Sequence, residues 1–129
     1  MTEFKYTIKL PPITKKNSQQ ILTNRANGRP FIMPSAKYKQ YEREAVWFLR
    51  PRPQHSIVYP VNVKCEFYMP NRRRTDLNNL LEAVTDLLVH AGILADDHYG
   101  IVVSHDGSRC FLDRDNPRTE ITITRIYPA

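Results

Sequence analysis

At 129 residues, with 41% hydrophobic and 25% charged residues, the chain has the composition of one globular domain large enough to bury a core. It contains no apolar run long enough for a membrane-spanning helix, and its opening Met-Thr-Glu-Phe-Lys reads as a strand, not a signal peptide. The cytoplasm is therefore the expected setting, with no membrane partner. Nineteen basic residues against 13 acidic ones, a net charge of +6, favour a polyanionic partner.

Residues 4–10 alternate and predict a strand with Phe4, Tyr6, Ile8 and Leu10 on one face. Pro11-Pro12 ends it, because proline has no N–H for a ladder. Residues 13–34 form a long basic connection. Within it, 20–23 and 29–33 flank an Asn27-Gly28 turn signal, which predicts a small hairpin. Lys15, Lys16, Arg25 and Arg29 are candidates to grip a nucleic-acid backbone. Ser35 can cap a helix over 36–49, whose stripe of Tyr38, Tyr41, Ala45, Val46, Phe48 and Leu49 reads as scaffold, with Trp47 partly off it. Pro51 and Pro53 break that helix.

Residues 61–69 alternate again, with Val61, Val63, Cys65, Phe67 and Met69 on the buried side, and run into Arg72-Arg73-Arg74. Thr75 or Asp76 can cap a second helix that ends at Gly92. At about 100° per residue, Leu77, Leu80, Leu81, Val84, Leu87, Leu88 and Ala91 share one side. Asp76, Asn79, Glu82, Asp86 and His90 share the other, joined by a lone apolar Val89. Asp76 and Asp97 are too distant along the chain to meet within the helix. The chain must turn back after Gly92, anchored by the apolar link 93–95, for Asp96 and Asp97 to approach Asp76. Asp86 is expected in an ion pair.

The remainder predicts strands over 101–105, 108–112 and 118–126, with Asp106-Gly107 a turn that brings the second back along the first. The order β, hairpin, α, β, α, β, β implies a single α+β domain over 1–129, a mixed β-sheet with two helices packed on one face. Cys65 and Cys110 read as structural reduced thiols. No His or Cys spacing matches a zinc site, and the histidines are not assigned catalysis.

Guanidinium groups attract phosphate, and nearby carboxylates attract a divalent cation. Together they suit an enzyme that acts on a phosphodiester. Magnesium commonly takes only one or two protein carboxylates, so Asp76 and Asp97 can suffice, assisted by Asp96 or Glu82.

The run Met-Pro-x-Arg-Arg-Arg-x-Asp-Leu-x-Asn-Leu at 69–80, then Asp86-Leu87-Leu88, Ala91-Gly92 and Asp96-Asp97, resembles the RusA family of Holliday-junction resolvases. The close match covers about residues 69–97. The resemblance implies that Asp76 and Asp97 are catalytic, metal-binding aspartates, with Asp96 an acidic neighbour. It implies a magnesium-dependent endonuclease, with manganese a possible substitute, that resolves four-way junctions or related branched DNA by paired nicks. The implied assembly is a homodimer with two-fold related sites, and the implied context is DNA recombination and repair of a prophage type. Arg72, Arg73, Arg74, Lys15 and Lys16 are the expected DNA-binding residues, and Asn79 is expected to hydrogen-bond Asp76.

The sequence departs from the family at two places. Asn78 stands where the family usually has a second aspartate, and Glu82 where its best-known members have lysine. Glu82, less than two turns after Asp76, can supply the missing carboxylate. The alternative reading is a branched-DNA-binding module of the same fold with weak or lost cleavage. An RNA-binding domain would need stacking aromatics on an exposed sheet face, whereas the aromatics here fall mostly at core-like positions.

Overall fold

The computed structural model describes residues 3–15, 19–34 and 36–126, with the backbone alone at 19–21 and 31–34. Among the described residues, nine elements follow in chain order: β1 Glu3–Ile8, β2 Gln19–Thr23, β3 Pro30–Pro34, α1 Ala36–Trp47, β4 Val61–Met69, α2 Leu77–His90, β5 Val102–Ser104, β6 Arg109–Leu112 and β7 Arg118–Arg125. The sheet order is β1-β7-β4, with β5 and β6 both on the far side of β4. β1 and β4 pair antiparallel to β7, and β5 and β6 pair parallel to β4, so the sheet is mixed as expected. Among the described residues, no helix is long and apolar enough to cross a membrane.

The alternation read in residues 61–69 is realised residue by residue. Val61, Val63, Cys65 and Phe67 are buried, while Asn62, Lys64, Glu66 and Tyr68 stand half-buried on the other face. Tyr6 and Ile8 of β1 and Ile121 and Ile123 of β7 extend the same apolar layer. Tyr38, Tyr41, Ala45 and Leu49 from the α1 segment and Leu80, Val84, Leu87 and Leu88 from α2 cover it. Leu88 is fully buried, and truncating it to alanine would cost about 2–5 kcal/mol.

Both helices stop where backbone chemistry requires. α1 gives way two residues before the expected end, because Phe48 and Leu49 donate to Ala45 and Val46 in tighter three-residue turns. Its expected cap, Ser35, lies outside the described residues. α2 ends at Gly92, whose φ of 78° is the left-handed conformation that glycine adopts without a Cβ penalty. There the Ile93 N–H donates to the Leu88 carbonyl at 2.9 Å and the Gly92 N–H to Val89 at 3.0 Å, the paired bonds of a Schellman motif. The chain then folds back. Ile93 and Leu94 are buried, and the Ile57 N–H and carbonyl bond Ile93 and Ala95 at 2.8 and 3.0 Å. The apolar link thus anchors the return.

The hairpin expectation also holds. β2 and β3 pair in register, and the Asn24 N–H donates to the Arg29 carbonyl at 2.8 Å, with Gly28 at φ 70° in the turn. This pair forms a separate two-stranded sheet.

One expectation is corrected. Residues 108–112 do not return along 101–105. β5 and β6 run in the same direction, each parallel to β4, as two segments of one interrupted edge. Side chains replace ladder bonds across the gap. Asn62 Oδ1 accepts from Ser104 Oγ at 2.6 Å and from the Asp106 N–H at 2.7 Å. His105 Nδ1 meets the Val63 carbonyl at 2.8 Å, and the Cys65 N–H donates to Ser108 Oγ at 2.9 Å. The Val63 carbonyl and the Cys65 N–H of β4 thereby find partners in the turn, and the chain resumes its course instead of reversing.

The sheet face away from the helices carries one aromatic pair that periodicity did not single out. Tyr68 and Phe111 stack with centroids 4.8 Å apart. The guanidinium of Arg118 lies 3.7 Å from the Tyr68 centroid and that of Arg109 lies 5.1 Å from Phe111. Arg118 also pairs with Glu120 at 2.7 Å and Asp113 at 3.0 Å, so its charge is spent within the fold.

Candidate functional site

β4 delivers the chain to a basic loop at its C-terminal end, and α2 carries it back beneath the sheet. Asp76 occupies the N-cap position of α2 with extended backbone, φ −80° and ψ 133°. Its carbonyl accepts the N–H groups of Asn79 and Leu80 at 3.1 and 3.2 Å, but its side chain makes no capping bond. The exposed Asp76 carboxylate is engaged by no other hydrogen bond or ion pair among the described residues. A carboxylate left uncommitted at a helix N-terminus can face a cation or can favour the dipole from outside. The Asn79 bond to Asp76 therefore runs through the backbone, not through the expected side chain.

Asn78 and Glu82 stand four residues apart, on the same helix face. They line one open surface cavity together with Asp97, which the fold-back after Gly92 brings alongside α2, and with His105 from the end of β5. Leu81, Thr85 and Val102 form its remaining wall. Thr85 points its hydroxyl back to the Leu81 carbonyl at 2.8 Å, so the helix surface there offers no competing polar group. Asp76 is not part of this lining. Among the described residues no three of His, Cys, Asp and Glu gather as a metal cluster. The acid that Asp97 joins in the cavity lining is thus Glu82, and the neutral Asn78 lines it with them.

Asp96 sits beside this cavity in an exposed turn. The Asp97 N–H donates to its Oδ1 at 2.7 Å, and that bond, helped by the nearby His98, holds its carboxyl below the usual carboxylate range. Asp96 therefore shapes the turn that carries Asp97.

The arginine loop is exposed throughout Arg72, Arg73 and Arg74. The Arg73 N–H bonds Asn71 Oδ1 at 2.9 Å, a side-chain turn that sets the loop's course. Arg73 lines two adjoining clefts, one with Lys37 and Thr14, the other with Arg72 and Phe111. None of the three guanidinium groups is in an ion pair among the described residues. Lys15 is different. Its ammonium lies 3.6 Å from Asp86 and 5.9 Å from the Tyr38 ring centroid, so the pair expected for Asp86 forms, and it engages an expected DNA-binding lysine. Lys16 lies outside the described residues.

Two residues in these clefts, Lys37 and His105, are not assigned to the site by the sequence pattern. Lys37 lies in the first turn of a helix that reads as scaffold, where the only available signal was the absence of an acidic partner in that turn. His105 sits in a turn whose course depends on bonds to residues 42 to 44 positions away, and no local signal could have placed it.

Comparison with known proteins agrees with this architecture. The family model for endodeoxyribonuclease RusA matches residues 10–124. A crossover junction endodeoxyribonuclease RusA of Shigella sonnei (strain Ss046) is 33% identical over 127 residues, covering 98% of each chain. A protein of that name from Aquifex aeolicus (strain VF5) is 27% identical over 99 residues, 76% of this chain and 75% of its own. One from Enterobacteria phage 82 is 37% identical over 70 residues, 54% of this chain and 56% of its own.

Proposed function

The chain belongs to the RusA family of endodeoxyribonucleases, and from that premise we propose that it cuts four-way junctions or related branched DNA, with its reacting phosphate held at the cavity between α2 and the end of β5. The observation that carries the placement is the meeting of Asp97 with Glu82 and Asn78 in one cavity lining, the latter two on the helix that the three-arginine loop leads into.

The donor set suits a hard divalent cation. Glu82 and Asp97 offer carboxylate oxygens, Asn78 an amide oxygen, and Asp76 stands two residues before Asn78 with its carboxylate uncommitted. Magnesium needs only one or two protein carboxylates, so the lack of a three-acid cluster is compatible with it. Asp76, Asp97 and Glu82 are the proposed holders of magnesium or manganese, with Asp96 fixing the turn. When bound, such an ion polarises a phosphate oxygen and acidifies water. Arg72, Arg73 and Arg74 pair with backbone phosphates and set the strand's register, which positions without reading sequence.

Two nicks in strands of like polarity require two sites related by rotation, so the proposed active form is a homodimer. The proposed setting is the cytoplasm, in recombination and repair.

A second reading is favoured by one observation, the missing third acid among the described residues. On that reading the chain binds branched DNA and does not cut it. A synthetic junction incubated with the protein and magnesium or manganese separates the two. The nuclease reading expects paired nicks that Asp97→Asn and Asp76→Asn each reduce about 10²–10³-fold, the scale of one lost electrostatic contact in the transition state. Tight binding with no nicks in either metal would establish the binding module instead.

A further inference from the structure

We propose that His105 is a catalytic residue of this cavity, orienting the attacking water and taking its proton; the inference rests on the nuclease reading above. His105 lines the cavity with Asn78, Glu82 and Asp97. The sheet edge fixes it from both sides. Asn62 Oδ1 holds Ser104 Oγ before it at 2.6 Å and the Asp106 N–H after it at 2.7 Å. The ring itself is pinned, because Nδ1 lies 2.8 Å from the Val63 carbonyl oxygen.

That contact decides the tautomer. A carbonyl oxygen only accepts, so Nδ1 carries the hydrogen, and in the neutral ring Nε2 is the bare nitrogen. No described residue bonds Nε2. The molecule therefore holds the imidazole of a cavity-lining residue by one nitrogen, and the other, a proton acceptor, has no partner among the described residues. This is the way a general base is held, with one nitrogen oriented by a fixed partner and the other facing the reacting group.

The other three histidines are placed differently. His98 Nδ1 accepts the Gly100 N–H at 3.0 Å and serves its own turn. His90 is exposed at the last turn of α2, and His55 is exposed in the loop before β4.

In the step we assign, the water oxygen forms the new bond to phosphorus while its proton passes to Nε2. The bond from phosphorus to the leaving sugar oxygen breaks, its electron pair stays on that oxygen, and solvent supplies the proton that completes the hydroxyl. His105 then returns its proton to solvent.

Nitrogen-15 NMR of the imidazole in the wild-type protein reads the tautomer directly, and Nδ1–H with bare Nε2 is expected. His105→Asn can still donate to Val63 but has nothing at Nε2. It is expected to bind the junction within about twofold of wild type and to cleave about 10²-fold more slowly in single turnover. Added imidazole is expected to restore part of the rate in His105→Ala. A proton on Nε2, or wild-type cleavage by His105→Asn, overturns the role of His105 and leaves the nuclease reading standing. A wild-type protein that binds junctions yet never nicks them overturns both.

Discussion

Asn62 and Asp106 are joined twice: the Asp106 N–H donates to Asn62 Oδ1 at 2.7 Å, and Asn62 Nδ2 donates to the Asp106 carbonyl at 3.1 Å. One side chain on the polar face of β4 thereby closes the turn between β5 and β6. Ser104 adds a third bond to it at 2.6 Å. Replacing Asn62 with alanine is expected to cost about 1–2 kcal/mol, since hydrogen bonds at a partly exposed edge contribute modestly. Urea unfolding measures this. Because the same turn carries His105, hydrogen exchange at Ser104–Ser108 should speed up in the variant more than exchange in β1 or β7.

Gly92 tests the helix stop. Its φ is 78° and a Cβ built there meets nothing within 4 Å, so alanine would suffer only the left-handed backbone penalty. Gly92→Ala is expected to lower stability by about 1–2 kcal/mol without changing the denaturant slope. A loss several times larger would mean that the turn after α2 is packed more tightly than its open surroundings indicate.

The salt dependence of junction binding should distinguish the two basic groups. Arg73 is exposed and without an ion pair among the described residues, so Arg73→Ala should flatten the slope of log K against log salt by about 0.9. Lys15 already faces Asp86 at 3.6 Å. Lys15→Ala should alter the slope less and remove at most about 1 kcal/mol of stability, the range of a surface pair. Equal slopes for both variants would return Lys15 to the DNA interface.

Asn78 is the neutral member of the proposed cation wall. Asn78→Asp adds a charge beside Glu82 and Asp97, and the magnesium concentration for half-maximal cleavage is expected to fall on the order of tenfold. A metal titration of junction cleavage checks it. An unchanged or higher requirement would show that the ion is not held on this wall.

Burial makes the fold sensitive to alkali. Desolvation pushes the Cys65 thiol up to about 12 from its ordinary value of 9.0, and desolvation likewise raises the Tyr41 phenol to about 12. Both groups keep their protons more tightly when folded than when unfolded. Their contribution is complete below about pH 9 and is lost as pH rises from there through 12, where the unfolded chain has released protons that the native state retains. The urea midpoint should therefore fall steeply between pH 9 and 12. Cys65→Ala, though less stable at pH 7, should show a shallower decline.

Much of this protein is legible from local pattern. The alternation of 61–69, the apolar stripe of α2 and the glycine that ends it depend only on neighbours a few residues away. The same short range places Asn78 and Glu82 on one helix face. Tertiary structure decided the rest. It determined that 109–112 continues the edge begun by 102–104 instead of reversing, that Lys15 answers Asp86, and that Asp97 comes to the wall of Glu82 and His105. Each of those outcomes rests on bonds or packing between residues distant in the chain. Hydrophobic periodicity says which side of a strand is buried, but it does not say which polar side chain will satisfy the backbone of another.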